Sequence, residues 1–178
     1  MTKKQWREPR RQVAALPFRF DMDGELQVLL VTSRETRRWV IPKGWPMPGR
    51  KEHKAAEREA FEEAGLKGRI NKTALGTYEY EKRLKSGMTV TCEVKVFPLH
   101  VIEQCNRWPE QGQRDLRWIA PDEAADLVQE DGLKLLLHAF VSGEFDEPGG
   151  NASDLSLPRR VRTASVAHDP APLVGETL

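Results

Sequence analysis

The sequence is poor in the features that mark several whole classes of protein. Only two cysteines, Cys92 and Cys105, occur in 178 residues, which leaves no disulfide framework and no zinc-ligand spacing. No apolar run reaches the length of a membrane span, and the N-terminal MTKKQWREPRR lacks the apolar stretch of a secretory signal. These absences predict a soluble, cytoplasmic protein. Charge of one sign is missing too: 28 Lys and Arg stand against 27 Asp and Glu, a net +1, so no global field points to nucleic acid or a membrane surface. The four histidines, His53, His100, His138 and His168, are scattered, without ligand or triad spacing.

What is present reads as one ordinary domain with polar ends. Residues 1–11 form a basic arm, with Lys3, Lys4, Arg7, Arg10 and Arg11 around Trp6. Residues 12–142 carry the alternating and periodic patterns of a folded domain. Residues 143–178 are expected to be a disordered tail, because aromatics cease after Phe145 while Pro, Gly, Ser and Asp accumulate around Arg159, Arg160 and Arg162. Within the domain, Gln12 to Phe20 and Leu26 to Thr32 predict a hairpin around the turn Asp21-Met22-Asp23-Gly24. A short strand is expected at Arg38 to Ile41, after which Pro42-Lys43-Gly44 opens a loop. Strands are expected again over Gly68 to Arg83, Met88 to Val101 and Leu116 to Ile119, and helices over Pro121 to Val128 and Gly132 to Phe140. Strands and helices interleave without a βαβ rhythm, which predicts an α/β sandwich on a mixed sheet.

The centre of the chain is Gly44 to Leu66, GWPMPGRKEHKAAEREAFEEAGL. A helix over Lys51 to Ala64 brings Glu59, Glu62 and Glu63 to roughly one side, with Ala56, Ala60 and Ala64 as a narrow buried stripe. Gly65 is the expected left-handed residue past the helix end, with Leu66 as its apolar partner. Acids at that end oppose the helix dipole, and like charges at these spacings cost about 0.2–0.5 kcal/mol per pair. A folded domain tolerates that penalty. Three carboxylates there supply hard oxygen donors suited to Mg²⁺ or Mn²⁺.

The spacing Gly44, Arg50, then Arg58-Glu59-Ala60-Phe61-Glu62-Glu63-Ala64-Gly65-Leu66 resembles the Nudix box, G-x5-E-x7-R-E-U-x-E-E-x-G-U with U apolar. It departs at one position, where Arg50 replaces the first glutamate. The resemblance implies the family's α/β/α fold and metal-assisted cleavage of a phosphoanhydride. It assigns the metal to Glu59, Glu62, Glu63 and the Gly44 carbonyl, the base to Glu62 with Glu110 as alternative, and a pairing role to Arg58.

Val28 to Met47 resembles the diphosphoinositol polyphosphate phosphohydrolase branch, which implies substrate contacts from Arg10, Arg11, Thr32, Ser33 and Arg34. Arg83 in the basic stretch before the next strand, and Arg114 four residues ahead of Trp118, join that set by position. Lys43-Gly44 resembles the diadenosine polyphosphate hydrolases and keeps that substrate class open. Arg50 places a cation near the acids, able to attract phosphate or pair with a carboxylate. The same residue supports an alternative: a non-catalytic module of this fold that binds a nucleotide or inositol polyphosphate. In either case the expected partner is a small polyphosphate, with no nucleic acid and no membrane.

Overall fold

Strand β1, Arg10–Phe20, is the axis of the fold because its middle is apolar on both faces. Residues Gln12 to Phe18 are all buried, and alternate side chains serve opposite layers. In the computed structural model, which describes residues 8–143, this strand is followed by β2 (Leu26–Thr32), β3 (Trp39–Val40) and β4 (Lys43–Gly44). Helix α1 (Glu52–Ala64) comes next, then β5 (Leu66–Ile70), β6 (Gly76–Arg83), β7 (Thr89–Gln104) and β8 (Leu116–Ile119). Helices α2 (Pro121–Leu127) and α3 (Asp131–Ser142) close the described chain. The readings of a disordered tail and of Trp6 in a basic arm fall on residues outside the described ones.

The sheet is mixed. β1 runs parallel to β7, with Arg10 beside Cys92 and Phe18 beside His100, and antiparallel to β2 through the expected hairpin. The strand begins at Arg10 rather than Gln12, so the last two residues of the basic stretch belong to the sheet. β7 is long enough to carry β6 along its first half and β5 along its second. The expected continuous stretch after α1 is therefore two strands, separated by a turn in which Asn71 Oδ1 accepts from the Thr73 N–H at 2.9 Å.

Lys43–Gly44 differs from expectation most usefully. It is a strand and not the start of a loop, paired with Val13 and Ala14 of β1. The Pro42 carbonyl accepts from the Ala15 N–H at 3.0 Å, so the proline joins the ladder through its acceptor and needs no N–H. β1 thus holds β4 near its start and β2 near its end along one edge.

One face of the sheet is covered by α1. Val13, Ala15, Leu29, Val31, Phe97 and Leu99 pack with Ala55, Ala56, Ala60 and Ala64 of that helix. Four alanines with no exposed surface allow the helix to approach the sheet closely while favouring helix formation. The opposite face meets α3: the Phe140 ring lies 5.1 Å from that of Phe18, and Gly132 leaves room for Tyr78 directly against its Cα. The result is the expected α/β/α sandwich. Among the described residues no helix is long and apolar enough to cross a membrane.

Candidate active site

The close approach of α1 sets its acids against β4. A Cβ placed on Gly44 would sit 2.2 Å from Glu59 Oε1 and 2.6 Å from Oε2, so only a bare Cα leaves room for that carboxylate. Burial, and then the neighbouring Glu62 and Glu110, raise the Glu59 carboxyl to about 7. Glu62 is turned outward, its Oε1 2.5 Å from Arg58 Nε in an i,i+4 pair. Helix α1 ends at Gly65 in the left-handed conformation, φ 70°, as its C-terminal pattern requires.

Glu63 is the buried member of the trio, with 7% of its side chain exposed. Its Oε1 accepts from Arg114 Nη2 at 2.8 Å, whereas Oε2 is buried with no hydrogen-bond partner. Burial raises this carboxyl to about 7 in spite of Arg114 and Lys43. Arg114 is equally buried and fully engaged: Nε donates to Glu110 Oε2 at 2.9 Å and Nη1 to the Thr32 carbonyl at 3.0 Å. One guanidinium therefore ties β2, α1 and the 105–115 loop together. Removing one partner from such a buried pair costs about 3–5 kcal/mol.

The remaining residues singled out in the sequence separate into two groups. Thr32 and Ser33 are occupied by the protein. The Thr32 hydroxyl accepts from the Asp115 N–H at 2.9 Å, and Ser33 Oγ stands 2.5 Å from Thr36 Oγ1 while accepting from the Arg38 N–H. Arg34 reaches the same loop, 3.4 Å from Glu110 Oε1, and the Glu110 N–H donates to the Glu62 carbonyl at 3.0 Å. Glu110 is therefore next to the helix acids but held between two arginines. By contrast Arg10 and Arg11 are exposed at the start of β1, Arg83 is exposed at the end of β6, and Arg50 is exposed in the 45–51 loop. Lys43 stands on the other side of β4, its Nζ 5.2 Å from the Tyr80 ring centroid. Burial lowers its ammonium to about 8, against the pull of Glu63 and Glu130.

Two participants, Trp108 and Arg37, escaped the sequence reading. Trp108 packs on Gly65, where a Cβ would come within 2.6 Å of its ring, and so seats the loop that carries Glu110 and Arg114. Arg37, with φ 55°, fastens the β2–β3 turn to that loop through the Gln113 carbonyl at 3.2 Å and Asp115 Oδ2 at 2.5 Å. Trp45 and Lys82, both prominent in the sequence, form a further pairing, with Lys82 Nζ 5.1 Å from the indole centroid. A lone tryptophan in a polar loop is the only signal the sequence offered for Trp108.

The donor set suits a hard divalent cation in its chemistry. An unpartnered buried oxygen on Glu63 and a desolvated carboxylate on Glu59 both gain from one. The cage is not preassembled: among the described residues no group of three or more His, Cys, Asp or Glu converges closely enough to hold an ion. Glu62 faces Arg58 and Glu110 faces Arg114, so either would have to turn to join a cation held by Glu59 and Glu63.

Comparison with known proteins agrees with this arrangement. The NUDIX domain family matches residues 9–139. The chain is 31% identical to Nudix hydrolase 13, mitochondrial, of Arabidopsis thaliana, over 77% of this chain and 70% of that protein. It is 30% identical to diphosphoinositol polyphosphate phosphohydrolase 3-alpha of Mus musculus, over 67% of this chain and 70% of that protein. Its fold is similar to that of the C. elegans Ap4A hydrolase, with a TM-score of 0.56 at 20% identity over 76% of this chain and 98% of that one. Because the family match runs across every strand of the sheet and through the glutamate helix that β4 and Arg114 hold in place, the chain belongs to the Nudix family and is a pyrophosphohydrolase of it.

Proposed function

We propose that the chain is a divalent-metal-dependent hydrolase that cuts a phosphoanhydride bond in a diadenosine polyphosphate or a diphosphoinositol polyphosphate. The observation that carries this reading is Glu63, buried with one oxygen fixed by Arg114 and the other left without a partner. Glu59, Glu62, Glu63 and the Gly44 carbonyl are the residues that would hold Mg²⁺ or Mn²⁺. When bound, such an ion would supply charge neutralisation at the phosphate oxygens and make an attacking water more acidic.

The chain's own groups do the rest. Glu62, held by Arg58, accepts the proton of the attacking water; the water oxygen bonds to phosphorus as the bridging P–O bond breaks, and the bridging oxygen leaves with the departing phosphate. Glu110 is the alternative acceptor, released from Arg114 or Arg34. The exposed cations Arg10, Arg11, Arg50 and Arg83 are available to phosphate, whereas Arg34 and Lys43 would have to leave Glu110 and the Tyr80 ring to join them. Thr32 and Arg114 serve that surface from beneath, through the loop they hold, and Ser33 through the turn before β3. Free thiols at Cys92 and Cys105 fit a reducing compartment such as the cytoplasm.

The test is release of phosphate or nucleotide from diadenosine polyphosphates and diphosphoinositol polyphosphates with Mg²⁺ or Mn²⁺, with Glu63→Gln as control. Glu63→Gln keeps an acceptor for Arg114, which also retains Glu110, so the variant folds and loses at least tenfold in kcat. Turnover by the variant at wild-type rate would remove Glu63 from the mechanism. The non-catalytic reading rests on Arg50 alone, and binding of either compound without cleavage would establish it.

A further inference from the structure

Trp45 is the large aromatic side chain that the fold places beside the glutamate helix and leaves 41% exposed. It follows Gly44 directly, so its Cα lies about 3.8 Å from the Cα against which the Glu59 carboxylate sits. Along β6 the side chains of Tyr78, Tyr80 and Lys82 share one face by the strand's twofold period. The segment Lys43 to Trp45 runs beside that face, with Lys43 over Tyr80 at 5.2 Å and Lys82 over Trp45 at 5.1 Å. A row of two cations and two rings thus lies on the side of β4 turned away from Glu59, one strand residue from the glutamate site, and ends at an indole open to solvent.

We propose that Trp45 is the platform on which the base of a nucleoside polyphosphate stacks, and that Lys82 exchanges the indole for the adjoining phosphate. Aromatic faces bind bases without regard to sequence, and a cation that leaves a ring for a phosphate exchanges a weak contact for a charge-assisted one. An inositol polyphosphate has no planar group for the indole. Its dense charge also needs free cations, and two of the groups assigned to it are engaged elsewhere: Ser33 is bonded within its turn, and Arg34 sits against Glu110 and Gln113. The platform therefore favours the dinucleotide of the two substrate classes. This inference rests on the proposed hydrolysis for its kinetic readout but not for its binding readout.

The experiment compares wild type, Trp45→Ala and Trp45→Phe with Mg²⁺ on diadenosine tetraphosphate, a diphosphoinositol polyphosphate and inorganic tripolyphosphate. Calorimetric binding of diadenosine tetraphosphate is measured in parallel in the Glu63→Gln background. Trp45→Ala is expected to weaken dinucleotide binding and kcat/KM about tenfold, through KM, with Trp45→Phe recovering most of the loss. Any cleavage of the two compounds that lack a base should change less than twofold. An equal loss on all three compounds would make Trp45 a support of the loop and overturn the proposal, as would unchanged dinucleotide binding. If the wild type cleaves none of them yet binds the dinucleotide through Trp45, the hydrolase reading fails and the platform stands.

Discussion

Gly44 shows how much of the site depends on one missing side chain. Its backbone is not in the left-handed region, so an alanine there carries no conformational penalty; what it meets is the Glu59 carboxylate, at 2.2–2.6 Å. The carboxylate is the mobile end of a flexible side chain and can swing away at small cost to the fold. Gly44→Ala is therefore expected to melt within a few degrees of wild type while losing at least tenfold in metal-supported turnover, checked by thermal melts beside a Mn²⁺ titration of activity. Unchanged turnover would mean that Glu59 works from another position. Gly44 and the three glutamates were legible in the sequence because their spacing is local. Arg114 was legible only as a basic position: that it engages Thr32 and Glu63, residues 82 and 51 positions away, depends on contacts that no local pattern encodes.

At the scale of the element, α1 carries acids at the end where its dipole disfavours them, and no basic residue occupies its last turn. The compensation comes from outside the turn, from Arg58 one turn earlier and Arg114 on the 105–115 loop. That loop is seated by Trp108 on Gly65, and the Cys105 N–H donates to the Gly65 carbonyl at 2.8 Å. Gly65→Ala is expected to cost about 1–2 kcal/mol from the left-handed backbone alone, and more because its Cβ collides with the indole. The measurable sign is a lowered denaturation midpoint together with a fall in kcat, since displacing Trp108 moves Glu110 and Arg114. A loss of stability with kcat intact would separate the loop's seat from the chemistry. The helix and its glycine cap were readable because periodicity and capping act within a few residues. Strand β4 was not, because Pro42-Lys43-Gly44 has loop composition and becomes a strand only by finding Val13 and Ala14. The parallel pairing of β1 with β7 was hidden for the same reason.

For the molecule as a whole, the site costs stability that bound metal can return, and the sign of that exchange depends on pH. Glu59 and Glu63 each rise to about 7 from an ordinary value near 4.5, so between those values the folded state binds more protons than the unfolded one. Their contribution is fully present below about pH 4.5 and is lost as pH rises through 7. His53, buried against Phe97 with ring centroids 6.2 Å apart, acts oppositely: burial and nearby lysines lower its pKa, so its contribution holds above about 6.5 and is lost as pH falls. The apo protein is thus loaded from both sides. Only the carboxylate part responds to a cation, because protonated carboxyls make poor ligands. At a hundredfold excess over Kd, Mg²⁺ adds about 2.7 kcal/mol, roughly 5–10 °C in Tm for a chain of this size. Melts with and without Mg²⁺ should therefore show that gain at pH 8 and little of it at pH 5, with Glu63→Gln gaining less from the metal than wild type. An equal gain at both pH values would place the ion away from Glu59 and Glu63. A gain confined to high pH would tie the strain stored in the acid cluster to the cation that relieves it.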